Sequence, residues 1–423
     1  MADILYISFN GLLEPLGSSQ VVAYVERLSG RRGLRYSVLS LEKERDRIEE
    51  GREAEMEERL GRCGVEWRRE TYVEGRGPVG AIRNVGVMAA MAREHLRRRQ
   101  VDLVHARSYL GALVGLGLKR WDGVPYLFDG RGYWIDERLR QGHWIGWPGV
   151  LDGARAMEER LYAEASGAVA LTETSAADIA GGRFGPWGKK PLVVVPTCAD
   201  YGRFSTPGPV GPALRGAMKR WEGREVFGYV GAINQAYFTE ESLRLFAAVR
   251  RRRSEAHLVC VTRQQRKMRQ LIEEVGLEEE AYSLVACEHR EMPALLAAMD
   301  WGFVMIEETP ARRAMMPTKL AEFFAAGVRP IYYGCNEDVG KWVDRAGSGV
   351  ALGAMKPGQL ETAAATIAGR RRPVDELGKA RRRTREHFDI SAGVEVLAEL
   401  SRRLVGEAVA DEESASWGRA AGV

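Results

Sequence analysis

The order of apolar runs constrains the fold of this chain more than any other feature of its sequence. Short apolar runs rich in β-branched residues alternate with longer amphipathic stretches, which is typical of βα units on a parallel sheet. In the first half we predict strands at ILYIS (4–8), YSVLSL (36–41), VEWRRETY (65–72), DLVHARS (102–108), PYLFDGRG (125–132), GAVALT (167–172) and LVVVPT (192–197). A second series follows at VFGYVG (226–231), HLVCVT (257–262), YSLVAC (282–287), GFVMIEE (302–308) and RPIYYG (329–334).

A segment rich in proline and glycine separates the two series of strands. FSTPGPVGPALRG, residues 204–216, interrupts the periodicity and is predicted to be a linker. A chain of 423 residues also exceeds what one core usually supports. We therefore predict an α/β fold of two doubly wound, Rossmann-like domains, 1–203 and 217–388, facing each other across a cleft. Residues 389–409 are predicted to form a helix that packs back on one of the domains, with the first favoured.

Charge and cysteine content restrict the partners and the compartment. The net charge is only +4 and the basic runs have acidic neighbours, so nucleic acid is not an expected partner. The five cysteines are far apart and form no C-x-x-C pair, which fits a reducing compartment. The N-terminal residues MADILYISF lack the pattern of a signal peptide. We expect a cytoplasmic protein, and the sequence leaves peripheral contact with the cytoplasmic face of a membrane open.

The sequence contains no metal-binding signature. Its histidines are scattered without H-x-x-x-H or H-E-x-x-H spacing, and no G-x-S-x-G elbow or P-loop is present. We therefore predict no bound metal and no cofactor.

The stretch AMMPTKLAEFFAAG, residues 314–327, is predicted to contain a helix that starts without a side-chain cap. Pro317 suits a helix start, but Met316 before it cannot accept a hydrogen bond as Ser, Thr, Asp or Asn would. Free amides and the helix dipole make such a start a site for an anion such as phosphate. Lys319 and Glu322 follow three residues apart, and this spacing equally fits an ion pair exposed to solvent.

A second candidate for phosphate contact lies in the first domain. The loop NGLLEPLGSSQVVAYVERL places Gly17 and Ser18 just before an amphipathic helix, where glycine lets a backbone amide approach a ligand. A glycine followed by a serine cap is also ordinary in a turn between strand and helix. Both interpretations of Gly17 stay open.

Several motifs, in order, resemble the retaining glycosyltransferases of family 4, and specifically those of bacterial polysaccharide assembly. They are EPLGSSQVVAYVERL, VDLVHARSYLGALVG, LFDGRGYWIDERLRQGHW, VVVPTCADYGRF, GYVGAINQAYFTEESLRLF and MPTKLAEFFAAGVRPIYYG. The resemblance extends from about residue 4 to 400 and implies the GT-B fold. It also implies a nucleotide-diphosphate sugar as donor, bound by the second domain, and an acceptor held by the first.

The resemblance assigns roles to residues of the second domain. The amides near Thr318 and Lys319 would meet the diphosphate, while Glu322 would accept hydrogen bonds from the ribose hydroxyls. Glu322 is therefore the first catalytic candidate. The loop after the first strand of that domain, which begins at Gly231, is a further donor-binding candidate.

Two departures from the family pattern affect the donor site. Ala314 stands where members commonly carry a second glutamate, so the identity of the sugar is harder to infer. Ala232 and Tyr237 stand roughly where many members place an arginine and a lysine for the diphosphate. Arg263 and Lys267 after the next strand, predicted on one helix face, are the replacement candidates, together with Arg312 and Arg313. Each of these could equally be an ordinary surface charge.

In the first domain, FDGRGYWIDER places Asp129 and Arg131 at the end of a strand, where they could project into the cleft. They are catalytic candidates, although a simple turn between them is the alternative. His105, at the end of DLVHA, could line the acceptor side or be a buried structural histidine.

The resulting prediction is a retaining glycosyltransferase. It would move a sugar from a nucleotide-diphosphate sugar to a saccharide or lipid-linked saccharide in cell-surface polysaccharide or glycoconjugate synthesis. The alternative is a non-catalytic subunit that binds nucleotide sugars in a polysaccharide-assembly complex, since Ala314 and the missing basic pair weaken the catalytic assignment.

Overall fold

A computed structural model describes residues 1–48, 51–75, 77–143, 146–206, 208–352, 358–370 and 376–420, apart from the side chains of 376 and 407–420. The chain forms two compact units. Unit 1 comprises Met1–Pro196 and Ile390–Val423, and unit 2 comprises Thr197–Asp389. Among the described helices, none combines the length and apolar character that a membrane crossing requires.

Unit 1 is built on a parallel sheet of seven strands. They are β1 (Ala2–Ser8), β2 (Leu34–Glu42), β3 (Glu66–Thr71), β4 (Leu103–Arg107), β5 (Tyr126–Asp129), β6 (Gly167–Ala170) and β7 (Leu192–Val194). Their order in the sheet is β3-β2-β1-β4-β5-β6-β7, and Tyr6 of β1 lies opposite His105 of β4. The central strands are buried on both faces, which explains their nearly continuous apolar sequences. The strand order reverses between β1 and β4, where ligands of doubly wound sheets bind.

Helices connect the strands of unit 1. They are α1 (Pro15–Gly17), α2 (Ala23–Leu28), α3 (Glu44–Arg47), α4 (Arg52–Arg62), α5 (Gly77–Arg98), α6 (Ser108–Asp122), α7 (Trp134–Arg140), α8 (Val150–Glu164) and α9 (Glu173–Ala180). A π-helical turn, Ser18–Val22, joins α1 to α2. The start of α9 is capped by Thr172, whose hydroxyl accepts a hydrogen bond from the amide of Ser175.

Unit 2 has a six-stranded parallel sheet. Its strands are β8 (Val226–Val230), β9 (His257–Val261), β10 (Tyr282–Val285), β11 (Trp301–Met305), β12 (Arg329–Tyr333) and β13 (Val350–Ala351), in the order β10-β9-β8-β11-β12-β13. The reversal of strand order falls between β8 and β11. All twelve predicted strands are confirmed, and so is the doubly wound α/β class. The predicted cleft concerns the placement of the two units relative to each other and stays a prediction.

Helices also surround the second sheet. They are α10 (Tyr201–Ser205), α11 (Pro212–Met218), α12 (Thr239–Arg250), α13 (Gln265–Val275), α14 (Met292–Ala297), α15 (Thr318–Ala326), α16 (Glu337–Ala346), α17 (Gln359–Gly369) and α18 (Glu376–Phe388). Helix α15 packs directly against β11 because Gly302 leaves room for the ring of Phe323. A Cβ atom at Gly302 would lie 2.3 Å from that ring. Glycine at this position therefore fixes how closely α15 approaches the sheet.

The unit boundary lies at Pro196, before the linker predicted at 204–216. Helix α10 folds onto unit 2, where the hydroxyl of Tyr201 contacts the hydroxyl of Thr384 at 2.9 Å. The amide of Gly211 donates to the carboxylate of Glu291 at 2.8 Å. These contacts hold the segment against unit 2, although its proline and glycine content suggested a linker.

The last helix, α19 (Ile390–Ala420), belongs to unit 1. It contacts α2 and β4, and Arg32 donates to Glu395 at 2.7 Å. The hydroxyl of Tyr36 lies 3.3 Å from that of Ser401. Unit 1 is thus completed by residues that follow the whole of unit 2 in sequence.

Candidate functional site

The predicted site residues form two groups, one in each unit, and each group lies at the carboxyl edge of its sheet. In unit 2 they follow β8, β9 and β11, and in unit 1 most of them lie at the ends of β4 and β5. These edges adjoin the two points where strand order reverses. The topology therefore places both groups where α/β sheets present ligand sites.

Helix α15 starts as predicted, without a side-chain cap. Pro317 is its N-cap residue, with φ −67° and ψ 129°, and no side chain of the described residues caps the helix. The helix begins at Thr318, one residue later than the sequence suggested. Its first turn contains no acidic residue that would balance the partial positive charge of the helix dipole. The start of α15 can therefore accept an anion.

Lys319 is buried and reaches toward the end of β8. Its ammonium nitrogen lies 3.7 Å from the ring centre of Tyr237 and 5.5 Å from that of Tyr229. The same atom lies 3.7 Å from the place a Cβ on Gly231 would occupy. Within the described part of the chain, Lys319 forms no ion pair or hydrogen bond, so its cation contacts aromatic faces only. Burial lowers the pKa of Lys319 to about 7, and the carboxylate of Glu322 only partly opposes this shift.

Glu322 lies one turn further along α15 and is half-buried. Burial raises its pKa to about 7, against the opposing charges of Arg203 and Lys319. The two side chains of α15 are not close enough for an ion pair, so the solvated pair considered from spacing alone is not formed. A half-buried carboxylate between two cations is suited to accept hydrogen bonds from ligand hydroxyl groups.

The conformation of the loop after β8 is fixed by a glycine and by hydrogen bonds to a side chain of the loop after β9. Gly231 has φ +125°, a conformation that favours glycine. Gln264, which precedes α13, accepts from the amide of Ile233 at 2.7 Å and donates to its carbonyl at 3.3 Å. These bonds tie the loops after β8 and β9 together beside Lys319.

The structure changes the interpretation of the predicted replacement cations. Arg263 precedes the N-cap of α13, while Lys267 lies within the helix, so the two do not share a helix face as predicted. The helix starts later than the sequence suggested, and both side chains are exposed. In the loop before α15, Arg312 is buried and Arg313 is exposed. Ala314 is completely buried.

The unit 1 group contains a buried ionic centre, which we call the Asp129 cluster: Tyr6, His105, Arg107, Asp129 and Arg131. The Nε atom of Arg131 lies 2.8 Å and 2.9 Å from the two carboxylate oxygens of Asp129. Arg107 approaches the same carboxylate at 3.5 Å and His105 at 3.6 Å. The rings of Tyr6 and His105 have centres 4.4 Å apart. The structure thus brings the three predicted residues together and adds two that were not predicted.

Protonation states in the Asp129 cluster follow from burial and charge. Burial alone would raise the pKa of Asp129, but Arg131, His105 and Arg107 together hold that pKa well below its usual range. Burial lowers the pKa of His105, although Asp129 opposes this. The carboxyl group is therefore ionised and the imidazole is neutral at pH 7.

The helix after β5 is fixed by its own contacts. Trp134 at the start of α7 stacks on Tyr109 with ring centres 5.8 Å apart. Asp136 forms ion pairs with Arg155 of α8 and with Arg183, the latter at 3.2 Å. These contacts anchor the loop between β5 and α7, which carries Arg131.

Gly17 has a packing role in unit 1. A Cβ atom on Gly17 would lie 1.8 Å from the carbonyl oxygen of Gly11, so no larger residue fits without movement of the backbone. This close approach explains the glycine by itself. Its predicted contact with the donor stays a prediction.

Among the described residues, no three His, Cys, Asp or Glu side chains are grouped so that they could hold a metal ion. The predicted independence of metals stays a prediction.

Comparison with protein families gives one match. Residues 17–198 match the family described as glycosyl transferase 4-like domain. The family resemblance carried by the sequence motifs is thereby confirmed.

Solved structures share the fold of the whole chain at low sequence identity. HepE of Anabaena in complex with UDP-glucose has a TM-score of 0.68 at 15% identity, and the match covers 95% of this chain and 100% of HepE. Sucrose-phosphate synthase from Thermosynechococcus elongatus has a TM-score of 0.71 at 14% identity, with 96% and 100% covered. A glycosyltransferase from Rickettsia africae has a TM-score of 0.65 at 13% identity, with 96% and 98% covered. These matches confirm the GT-B fold class. Among curated protein sequences, no match was found.

The matched segment, residues 17–198, contains Gly17 and all of the Asp129 cluster except Tyr6. Sequence reasoning missed Arg107, although it stands two residues after His105, and alternate residues of a strand point to one face. It also missed Arg203, whose positive charge acts on Glu322 and which was predicted to lie at the end of the first domain. Only the fold reveals this electrostatic interaction, because 119 residues separate the two in sequence.

Proposed function

We propose that the protein is a retaining glycosyltransferase. It moves a sugar from a nucleotide-diphosphate sugar to a saccharide or lipid-linked saccharide, without a bound metal, in the synthesis of cell-surface polysaccharide or another glycoconjugate. The glycosyl transferase 4-like domain supports the transferase activity. The complex of HepE with UDP-glucose supports a nucleotide sugar as donor. The motifs of bacterial polysaccharide assembly support the wider role and a cytoplasmic site of action.

One observation carries the proposal: a buried cation with no anionic partner among the described residues lies beside an uncapped helix start. In the part of the chain that the structure describes, the ammonium group of Lys319 contacts only aromatic faces, and no side chain caps the helix start at Thr318 and Lys319. The free energy cost of burying an unpaired cation is offset when a diphosphate binds. Glu322 then accepts hydrogen bonds from the ribose hydroxyls, and Gly231 leaves space for the phosphates.

Catalysis under this proposal is a front-face displacement. The bond between the anomeric carbon and the diphosphate oxygen breaks, and the bond to the acceptor oxygen forms on the same face of the sugar. The proton of the acceptor hydroxyl passes to an oxygen of the departing diphosphate. The protein contributes position and stabilisation of the developing negative charge by Lys319 and the helix start. The Asp129 cluster and Gly17 serve the unit 1 side of the reaction.

A binding protein without turnover is the second candidate. Ala314 favours it, since this buried methyl group stands where the family commonly has a glutamate. A panel of nucleotides and nucleotide sugars, screened by thermal shift, identifies the ligand for either candidate. Turnover of that nucleotide sugar with saccharide acceptors then separates them. Binding without transfer to any acceptor would favour the subunit, and binding of neither nucleotides nor nucleotide sugars would contradict both.

The glycosidic product is expected to keep the anomeric configuration of the donor. In the proposed mechanism, the new bond forms on the face from which the diphosphate departs. Proton NMR of the product measures the coupling constant of the anomeric proton of the transferred sugar, which the glycosidic bond locks in one configuration. An inverted anomer in that spectrum would contradict the front-face route.

The double variant Arg263→Ala and Lys267→Ala is expected to weaken binding of the nucleoside diphosphate by only about fivefold, because each of the two exposed charges contributes about 0.5 kcal/mol. Lys319→Met, which removes a buried charge, is the matched comparison and should have the larger effect. Calorimetry on both variants measures which of them loses more affinity for the nucleoside diphosphate. A loss in the double variant that exceeds the loss in Lys319→Met would return the diphosphate contact to Arg263 and Lys267.

A further inference from the structure

The Asp129 cluster carries more positive than negative charge. Arg107 and Arg131 supply two guanidinium groups, whose side chains are 5% and 11% exposed. Asp129 supplies one carboxylate, and His105 is neutral because burial lowers its pKa. Within the described residues, no other carboxylate pairs with either arginine. One positive charge in this buried centre is left without a counter-ion.

The hydrogen bonds of Arg131 leave the outer part of its guanidinium unused. Its Nε atom donates to Asp129, whereas its buried Nη1 atom finds no hydrogen-bond partner among the described residues. A buried donor without an acceptor costs about 1–3 kcal/mol. The guanidinium group, whose side chain is 11% exposed, therefore retains a hydrogen-bond donor for a ligand that carries oxygen acceptors.

The backbone at Arg131 is held in an unfavourable conformation. Its φ angle is +56°, in the left-handed region that favours glycine, and such a residue costs about 1–3 kcal/mol. Gly130 and Gly132 on either side would accept this conformation more easily. The surrounding contacts thus keep an arginine side chain directed into the cluster at an energetic cost.

The cluster also lies where a ligand can be bound. Asp129 is the last residue of β5, while Tyr6 and His105 lie two residues before the ends of β1 and β4, next to the reversal of strand order. Guanidinium groups bind phosphate and carboxylate through paired hydrogen bonds. Neutral saccharides would leave the excess charge uncompensated.

We propose that unit 1 contains an anion subsite, in which Arg131 and Arg107 bind a phosphate or carboxylate group of the acceptor. The assignment of this anion to the acceptor rests on the proposed function. The acceptor is then a saccharide that carries a phosphate, a diphosphate link or a uronic acid, rather than a neutral sugar. Asp129 is a positioning residue that orients Arg131 through its Nε atom.

Inorganic phosphate is the first probe, titrated by calorimetry into the full chain. Lys319→Met serves as the background, because it removes the phosphate contact proposed in unit 2. Adding Arg131→Gly should weaken phosphate binding at least about tenfold, as expected for a lost charge-assisted contact. Glycine suits the φ angle of this position, so the fold should be retained, which circular dichroism checks. Arg131→Lys keeps the charge and should retain part of the affinity.

Glucose 1-phosphate, glucuronic acid and methyl glucoside distinguish the source of the anion. Glucose 1-phosphate should bind more tightly than methyl glucoside if the acceptor carries a phosphate, and glucuronic acid should do so if it carries a carboxylate. The Arg131→Gly substitution should weaken binding of that charged ligand and leave the affinity for methyl glucoside unchanged. Equal binding of all three, or phosphate binding that Arg131→Gly leaves unchanged in a folded protein, would overturn the subsite. A wild-type protein that binds phosphate through Arg131 but binds no nucleotide sugar would instead contradict the proposed function alone.

Discussion

Replacing Glu322 by alanine is expected to abolish sugar transfer while the protein stays folded. The carboxylate is proposed to accept hydrogen bonds from two ribose hydroxyls. Each hydrogen bond to a charged group contributes about 1.5–3 kcal/mol of binding free energy. Transfer should therefore fall by at least about a hundredfold. Initial rates with the nucleotide sugar identified by the thermal-shift panel measure this loss. Wild-type rates in a folded Glu322→Ala protein would remove Glu322 from the site.

The stability of the Glu322 variants provides the control. Burial raises the pKa of Glu322 to about 7, above its ordinary value of 4.5, so the folded state holds this proton more tightly than the unfolded state. The ionised carboxylate then costs stability as pH rises from about 4.5 to 7, and the cost persists above that range. Glu322→Gln should unfold at the same temperature as wild type or higher at pH 8. A large drop would show that Glu322 supports the fold.

Nucleoside diphosphate should bind less tightly as pH rises from 7 to 9, relative to the nucleoside that lacks phosphates. Lys319 has a pKa of about 7 in the free protein, lowered by burial, and a bound diphosphate would raise it. Binding then takes up a proton, and the affinity falls as the free lysine loses its charge. Phosphate groups are almost fully ionised across this range. The ratio of the two affinities also cancels the contribution of Glu322, which both ligands share.

The variant Lys319→Met tests the origin of that pH dependence. Methionine keeps the contact with Tyr237 and removes the ammonium group. At pH 7 the variant should bind the diphosphate at least about tenfold more weakly, with the nucleoside little changed, and it should take up no proton on binding. Calorimetry in buffers of different ionisation enthalpy measures the proton. Proton uptake that survives in Lys319→Met would assign the titration to another group.

The sequence predicts the sheets well because of how parallel sheets are built. A strand that is covered by helices on both faces has a nearly continuous apolar sequence. The twelve described strands of three or more residues, β1 to β12, were all predicted. Only β13 escaped, since a strand of two residues, Val350–Ala351, leaves no periodicity. The unit boundary was displaced because proline and glycine break a pattern without showing where the broken segment packs. The contacts that place α10 on unit 2 join residues that lie far apart in the chain, and a local sequence pattern does not show such contacts.

The candidate site divides in the same way. The uncapped start of α15 follows from local sequence, since Met316 and Pro317 offer no side-chain acceptor. The burial of Lys319 against Tyr237 does not follow from local sequence, because 82 residues separate the two and the fold of the sheet brings them together. Arg263 and Lys267 illustrate the opposite error. Their spacing suggested one helix face, yet the helix begins between them.

The return of α19 to unit 1 has a consequence for the biosynthesis of the protein. The chain enters unit 2 at Thr197 and leaves it at Asp389, and the amide of Ala199 donates to the carbonyl of Phe388 at 2.9 Å, so these crossings are adjacent. Unit 2 is therefore a continuous insertion within unit 1. On the ribosome, unit 2 emerges complete while the surface of α2 that receives α19 is still uncovered. Unit 1 begins first and is finished last, and its folding waits for the translation of the entire second unit.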